Sequence, residues 1–246
     1  MKGLFVLVVL AVTFCATQSF NCIRPGTGKV NVTLHHYVGS RLLELDTVNY
    51  QNDLGQSFTV TKFKYYIGKI HLMKAGGGAI MLKDYYLINE DEETSKMFTL
   101  SDVPAGQYTG ISFLIGVDSA DNCSGAQAGA LDPVNAMFWA WNTGYIFLKL
   151  EGKSPVSKSS GRIFEYHIGG YKSPANCVRR VSLSFTQPLT VSVNSTHELA
   201  LKADAAEVLK TPNTIDISKL SSVTDFHNAP MVADNYMDMF SVISAH

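Results

Sequence analysis

The chain has 246 residues, with 20 Lys and Arg against 21 Asp and Glu, and 46% of its side chains are hydrophobic. A near-neutral balance without a basic stripe leaves nothing to neutralise phosphates, which argues against nucleic acid as a partner. The length suits one large core, and beyond the N-terminal segment no stretch is long and apolar enough to cross a bilayer as a helix.

Residues 1–19 read as a secretory signal peptide. Lys2 is followed by an apolar run over 4–12 and then by Cys15-Ala16-Thr17-Gln18-Ser19, the charged start, apolar middle and small-residue end of such a leader. Cleavage is expected near Ser19, leaving 20–246 as a single exported domain in the periplasm, on the outer surface or secreted. A lipid anchor on Cys15 or Cys22 is the lesser alternative, because Phe14 and Asn21 precede them where lipidation signals usually carry a small residue.

Strand patterns then recur along the chain. Residues 29–38 alternate, with Val30, Val32, Leu34, His36 and Val38 on one face. Residues 57–73 form a long aromatic-rich run whose apolar phase slips between Val60 and Phe63, the mark of a bulge or of a strand covered on both faces. Further strand-like runs cover 79–88, 107–117, 145–150, 162–168, 179–185, 189–193 and 197–203. Gly76-Gly77-Gly78, Pro104-Ala105-Gly106, the Gly- and Pro-containing stretch 152–161 and Gln187-Pro188 separate them as turns. Helix is scarce, with short candidates at 203–210 and 232–240. The expected fold is therefore all-β, an antiparallel sandwich with Greek-key connections and one or two short helices. The Gly/Ala-rich segment 118–138 is long for a connection, and such loops are usually functional or disordered.

Three cysteines follow the leader: Cys22, Cys123 and Cys177. Export permits disulfides, and the odd count leaves one thiol over. Cys123 and Cys177 both sit in polar, turn-rich segments, so they are expected to pair with each other.

Both tryptophans fall in Met137-Phe138-Trp139-Ala140-Trp141-Asn142-Thr143-Gly144-Tyr145, two residues apart and hence on one face if the segment is extended. Taken alone, they are best read as core anchors. Seven histidines are present, and no compact ligand motif links them. His36 lies on an apolar strand face, where burial demands a partner. His167 lies in Tyr166-His167-Ile168-Gly169-Gly170, where the glycines admit close backbone, and His227 precedes Asn228-Ala229-Pro230. The serine-hydrolase elbow, the phosphate-binding loop and the His-Glu-x-x-His motif are all absent. The run Glu90-Asp91-Glu92-Glu93 reads as a solvated loop, and Asp118, Asp121 and Asp132 as capping or turn residues before they read as a calcium site.

Several segments taken in order resemble a known family. They are Leu34-His35-His36-Tyr37-Val38-Gly39, the run 58–67, Val103-Pro104-Ala105-Gly106-Gln107-Tyr108 and Ile115-Gly116-Val117-Asp118-Ser119. Gly129-Ala130-Leu131-Asp132-Pro133, the tryptophan segment, Phe164-Glu165-Tyr166-His167-Ile168-Gly169-Gly170, and Asp234-Asn235-Tyr236 with Asp238-Met239-Phe240 complete the set. Together they resemble the MbnP-like copper-binding domain family of exported bacterial proteins, over nearly the whole chain beyond the leader. The resemblance implies a non-catalytic, copper-binding sandwich. It also implies histidine ligands beside a tryptophan that a haem peroxidase-like partner oxidises to kynurenine. Carried over, the metal ligands are His36, His167 and His227, and the neighbouring aromatics are Trp139 and Trp141. Imidazoles suit either oxidation state of copper. The three histidines must then converge on a common cavity near Trp139 or Trp141. The competing reading is a metal-free structural or ligand-binding sandwich.

Overall fold

The computed structural model describes residues 26–125, 127–139 and 144–246. The expected leader at 1–19, Cys22 and Trp141 lie outside the described residues. Strands β1 (Thr27–Val38), β2 (Arg41–Leu42), β3 (Tyr50–Gln51), β4 (Ser57–Lys74), β5 (Ala79–Asn89), β6 (Met97–Pro104) and β7 (Gly106–Ile115) precede the short helix α1 (Ser119–Asn122). Then come β8 (Phe138–Trp139), β9 (Gly144–Lys153), β10 (Ile163–Gly169), β11 (Arg179–Val191), β12 (Thr196–Asp204), β13 (Ser222–Val223), α2 (Ala229–Tyr236) and β14 (Phe240–Ala245).

These strands form a β-sandwich. One sheet runs β14-β12-β1-β2, with β6 also paired to β1; the other runs β11-β7-β4-β9-β10-β13, with β3 and β5 on β4 and β8 on β9. The core lies between them. From β1 it takes Val30, Val32, Leu34, His36 and Val38, all buried as their alternation predicts. From β4 it takes Phe58, Val60, Phe63 and Tyr65, and Tyr65 meets Phe240 of the opposite sheet edge-on with ring centroids 5.6 Å apart. The phase slip read at Val60–Phe63 is a bulge: β4 shifts register against β9 between Val60 and Lys62.

The sheets are mixed rather than purely antiparallel, because β12 runs parallel to β1 and β13 parallel to β10. The turn at 192–195 carries the chain from β11 in one sheet to β12 in the other, so β12 reaches β1 by crossing the sandwich. Two sequence breaks also differ. Gln187-Pro188 does not end a strand; β11 passes through it with a register shift between Ser184 and Leu189, which is where a proline can sit in a ladder. The helix expected at 232–240 starts earlier, at Ala229–Tyr236 with Pro230 in its first turn, as proline's fixed φ favours. The expected helix at 203–210 is the 3-10 turn Ala205–Leu209, opened by the Asp204 side chain accepting from the Ala206 N–H.

The segment after β7 folds back over the second sheet. Tyr145 donates its hydroxyl hydrogen to the Leu131 carbonyl at 2.7 Å, and its backbone N–H donates to Asn122 Oδ1 at 3.1 Å. Leu131 and Met137 of this segment are buried. These contacts fix the end of the sandwich where Trp139 lies.

Candidate functional site

Trp139 sits in the two-residue strand β8, paired with Gly144 of β9, and is 8% exposed. Its ring lies against Gly169, where an added Cβ would come within 2.7 Å of the indole and 2.5 Å of the Tyr145 carbonyl. The Phe226 ring meets the indole edge-on at 6.1 Å. Glycine in the Tyr166–Gly170 motif is thus explained by the room the indole takes. Beside it opens a pocket of about 390 Å³, walled by Trp139, Tyr145, Tyr171, Pro174 and Phe226 with Lys172 at its side. Lys172 Nζ stands 5.0 Å from the Tyr171 ring centroid, a cation held over an aromatic face. The pocket residues at 171–175 and Phe226 gave no periodic signal in the sequence because they lie in irregular segments.

The three expected metal ligands are placed as follows. His36 points between the sheets and is 3% exposed. Its Nδ1 is 2.5 Å from Glu90 Oε2 and its Nε2 is 2.8 Å from the Tyr65 hydroxyl. A carboxylate only accepts, so Nδ1–H donates to Glu90; in the neutral ring that burial favours, Nε2 accepts from the Tyr65 hydroxyl. Burial lowers the His36 pKa from its ordinary value, and the Glu90 hydrogen bond and charge oppose that shift. Lys96 Nζ, 3.3 Å from Glu90 Oε2, completes the chain. Glu90 was read in the sequence as part of a solvated run; it is instead the partner that a buried histidine required.

His167 faces the other way. Phe164, Tyr166 and Ile168 of β10 are buried in the core, so His167 lies on the outer face, its Nε2 2.8 Å from Glu151 Oε1. That hydrogen bond, followed by the nearby Lys62 and the His167 charge, pulls the Glu151 pKa down to about 2 against its own burial. His227 is exposed in the loop before α2, its backbone N–H donating to Asp225 Oδ1 at 2.7 Å. It follows Phe226 directly and so lies next to the Trp139 pocket.

The fold therefore does not bring His36, His167 and His227 together: one faces the core, one the outer surface of the second sheet, one a loop. Among the described residues no group of three or more His, Cys, Asp or Glu side chains could hold a metal ion. A three-imidazole copper site made of these residues does not fit this structure. Asp118 and Asp121 are likewise spoken for, gripping Lys69 Nζ at 3.7 Å and 2.6 Å.

The expected Cys123–Cys177 bridge is also not formed; both thiols are free, Cys123 exposed and Cys177 buried. The shared turn-rich, polar setting of the two cysteines suggests that they pair. The Cys177 backbone N–H instead donates to the Gly170 carbonyl at 2.8 Å, the Tyr236 hydroxyl donates to the Cys177 carbonyl, and the sulfur turns to the Ala175 carbonyl. Burial raises the Cys177 thiol to a pKa of about 12. Cys123 faces the Tyr171 hydroxyl, 3.6 Å away.

Among solved structures the chain is similar to MbnP from Methylosinus trichosporium, at 14% identity and a TM-score of 0.49, over 76% of this chain and 79% of that one. Comparison with curated proteins gives no match. The family model for MbnP matches residues 27–227, which spans the sandwich from β1 to the Trp139 pocket's Phe226. The chain belongs to the MbnP family.

Proposed function

We propose that this protein is an exported, non-catalytic binding protein that acts in copper handling and receives its ligand at the Trp139 end of the sandwich. Membership of a family associated with copper supports the first part. The observation that carries the second is the pocket of about 390 Å³ walled by Trp139, Tyr145, Tyr171 and Phe226. A concave, mostly apolar cavity with a small number of polar groups is the usual form of a binding site. His227 adjoins it, and is the one histidine of the three whose ring no carboxylate among the described residues holds. Trp139 at the pocket wall is the described tryptophan that a haem peroxidase-like partner would reach.

A second reading, metal-free binding of a small organic ligand at the same pocket, is favoured by the carboxylates that already occupy His36 and His167. Metal analysis of protein purified from its exported fraction, with tryptophan fluorescence followed during copper titration, separates the two. One retained copper, with quenching that is weakened at least tenfold in His227→Ala, supports copper binding at this end. Absence of copper and of quenching overturns it in favour of the organic ligand.

A further inference from the structure

The outer face of the second sheet carries a group of side chains that takes no part in the Trp139 pocket. His71 of β4 is directly opposite Met81 of β5 on one edge and Ser112 of β7 on the other. Directly opposed residues of an antiparallel pair share a face, with Cβ atoms about 4.5–5.5 Å apart. Ile70 and Leu72 are buried in the core, which fixes His71 and Met73 on the outer side. The Met73 side chain reaches over Gly110, where an added Cβ would come within 2.5 Å of its Cε. Only glycine there leaves the thioether its place.

Two facts set this group apart from an ordinary surface patch. Among the described residues His71 Nε2, a buried atom, has no hydrogen-bond partner, a state that native proteins rarely leave unused. Met81, its cross-strand neighbour, is 53% exposed, so this edge of the group faces solvent. Arg180, with Nη1 3.5 Å from Ser112 Oγ, stands on the β7 side of His71, away from Met81. Burial first, and the nearby Arg180 charge second, lower the His71 pKa from its ordinary value. Imidazole and thioether donors without a carboxylate or thiolate form a soft, uncharged set, which selects Cu(I) over hard divalent ions.

We propose that His71 Nε2, with the thioethers of Met73 and Met81, forms a surface site for a soft monovalent ion, Cu(I). The assignment does not rest on the Trp139 pocket. Anaerobic competition between the full-length protein and a chromophoric Cu(I) chelator tests it, with Ag(I) as a redox-inert probe followed through the methionine methyl resonances. The expected result is at least a tenfold loss of Cu(I) affinity at one site in His71→Gln and in the Met73→Leu/Met81→Leu double variant. Both methyl resonances shift with Ag(I) in the parent protein, and His227→Ala leaves the site intact. Thermal unfolding of each variant confirms that it is folded. Unchanged Cu(I) binding in His71→Gln, or Ag(I) shifts confined to other methionines, overturns the site. Loss in His227→Ala alone would do the same while upholding the pocket reading.

Discussion

Replacing Tyr65 by Phe removes one hydroxyl from the core and leaves everything else about the ring in place. The Tyr65 ring is fully buried and meets Phe63 at 5.1 Å and Phe240 at 5.6 Å between centroids, contacts that Phe repeats without opening a cavity. What is lost is the 2.8 Å hydrogen bond to His36 Nε2. That nitrogen is too deep for water to replace the donor, since His36 is 3% exposed. An orphaned buried acceptor costs about 1–3 kcal/mol. In a domain of this size each kcal/mol lowers Tm by roughly 2–4 °C. Urea denaturation followed by circular dichroism measures the change, with the slope of the transition expected to stay constant because the exposed surface is the same. A loss below roughly 0.5 kcal/mol, within the range of an ordinary surface substitution, would refute the view that His36 is held neutral between Tyr65 and Glu90.

Three further outcomes are expected. Because burial lowers the His36 pKa from 6.5, the unfolded chain takes up that proton first on acidification. The His36 contribution to stability is constant above about pH 6.5 and falls below it, by at most roughly 1.4 kcal/mol per pH unit for one proton. His71, lowered in the same direction, contributes in the same window, and comparison of urea midpoints for His36→Gln and His71→Gln between pH 7.5 and 5.5 divides the effect; a flat profile in the parent protein contradicts it. Gly169→Ala sets a Cβ 2.5 Å from the Tyr145 carbonyl and 2.7 Å from the Trp139 ring, and should cost on the order of 1–3 kcal/mol as overpacking and shift the tryptophan emission; a spectrum and midpoint equal to the parent's exclude this contact. Iodoacetamide should modify Cys123 in the native protein and Cys177 only after unfolding, since one thiol is exposed and the other buried; a disulfide-linked peptide containing both, found by mass spectrometry, would disprove the free-thiol state.

The sequence was informative where a physical constraint is local. One buried face on β1 forces strict alternation, so Val30 to Val38 could be placed with His36 among them, and the bulge in β4 showed as a slip of phase. Signals failed where the determinant lies far along the chain. His36 visibly needed a partner, but nothing near it names Glu90, 54 residues away. The parallel pairing of β12 with β1 follows from a crossing between sheets, which hydrophobic period does not encode. Motif resemblance identified the family; that Trp139 walls a pocket was seen only in the structure. The resemblance carried His36, His167 and His227 as one group, although alternation already set His36 inward, and β10's own alternation of Phe164, Tyr166 and Ile168 leaves His167 outward. Cysteine pairing read from polar neighbours failed because a turn-rich segment can still be drawn inward, as Gly170 and Tyr236 draw Cys177.

The bulge near Thr61 bears on which length changes this chain can survive. In β4 it lets two residues stand where β9 offers one, and that extra residue keeps Val60 and Phe63 on the same side despite their odd separation. Deleting Thr61 would leave a plain ladder with every remaining side chain on its present face. Deleting Lys64, three positions on, would turn one arm of the strand over, driving aromatic rings into solvent and lysines into the core. Two shortenings identical in composition cost should therefore differ as sharply as a tolerated variant and an unfolded one. Natural relatives that vary in length within this strand are expected to do so at the bulge.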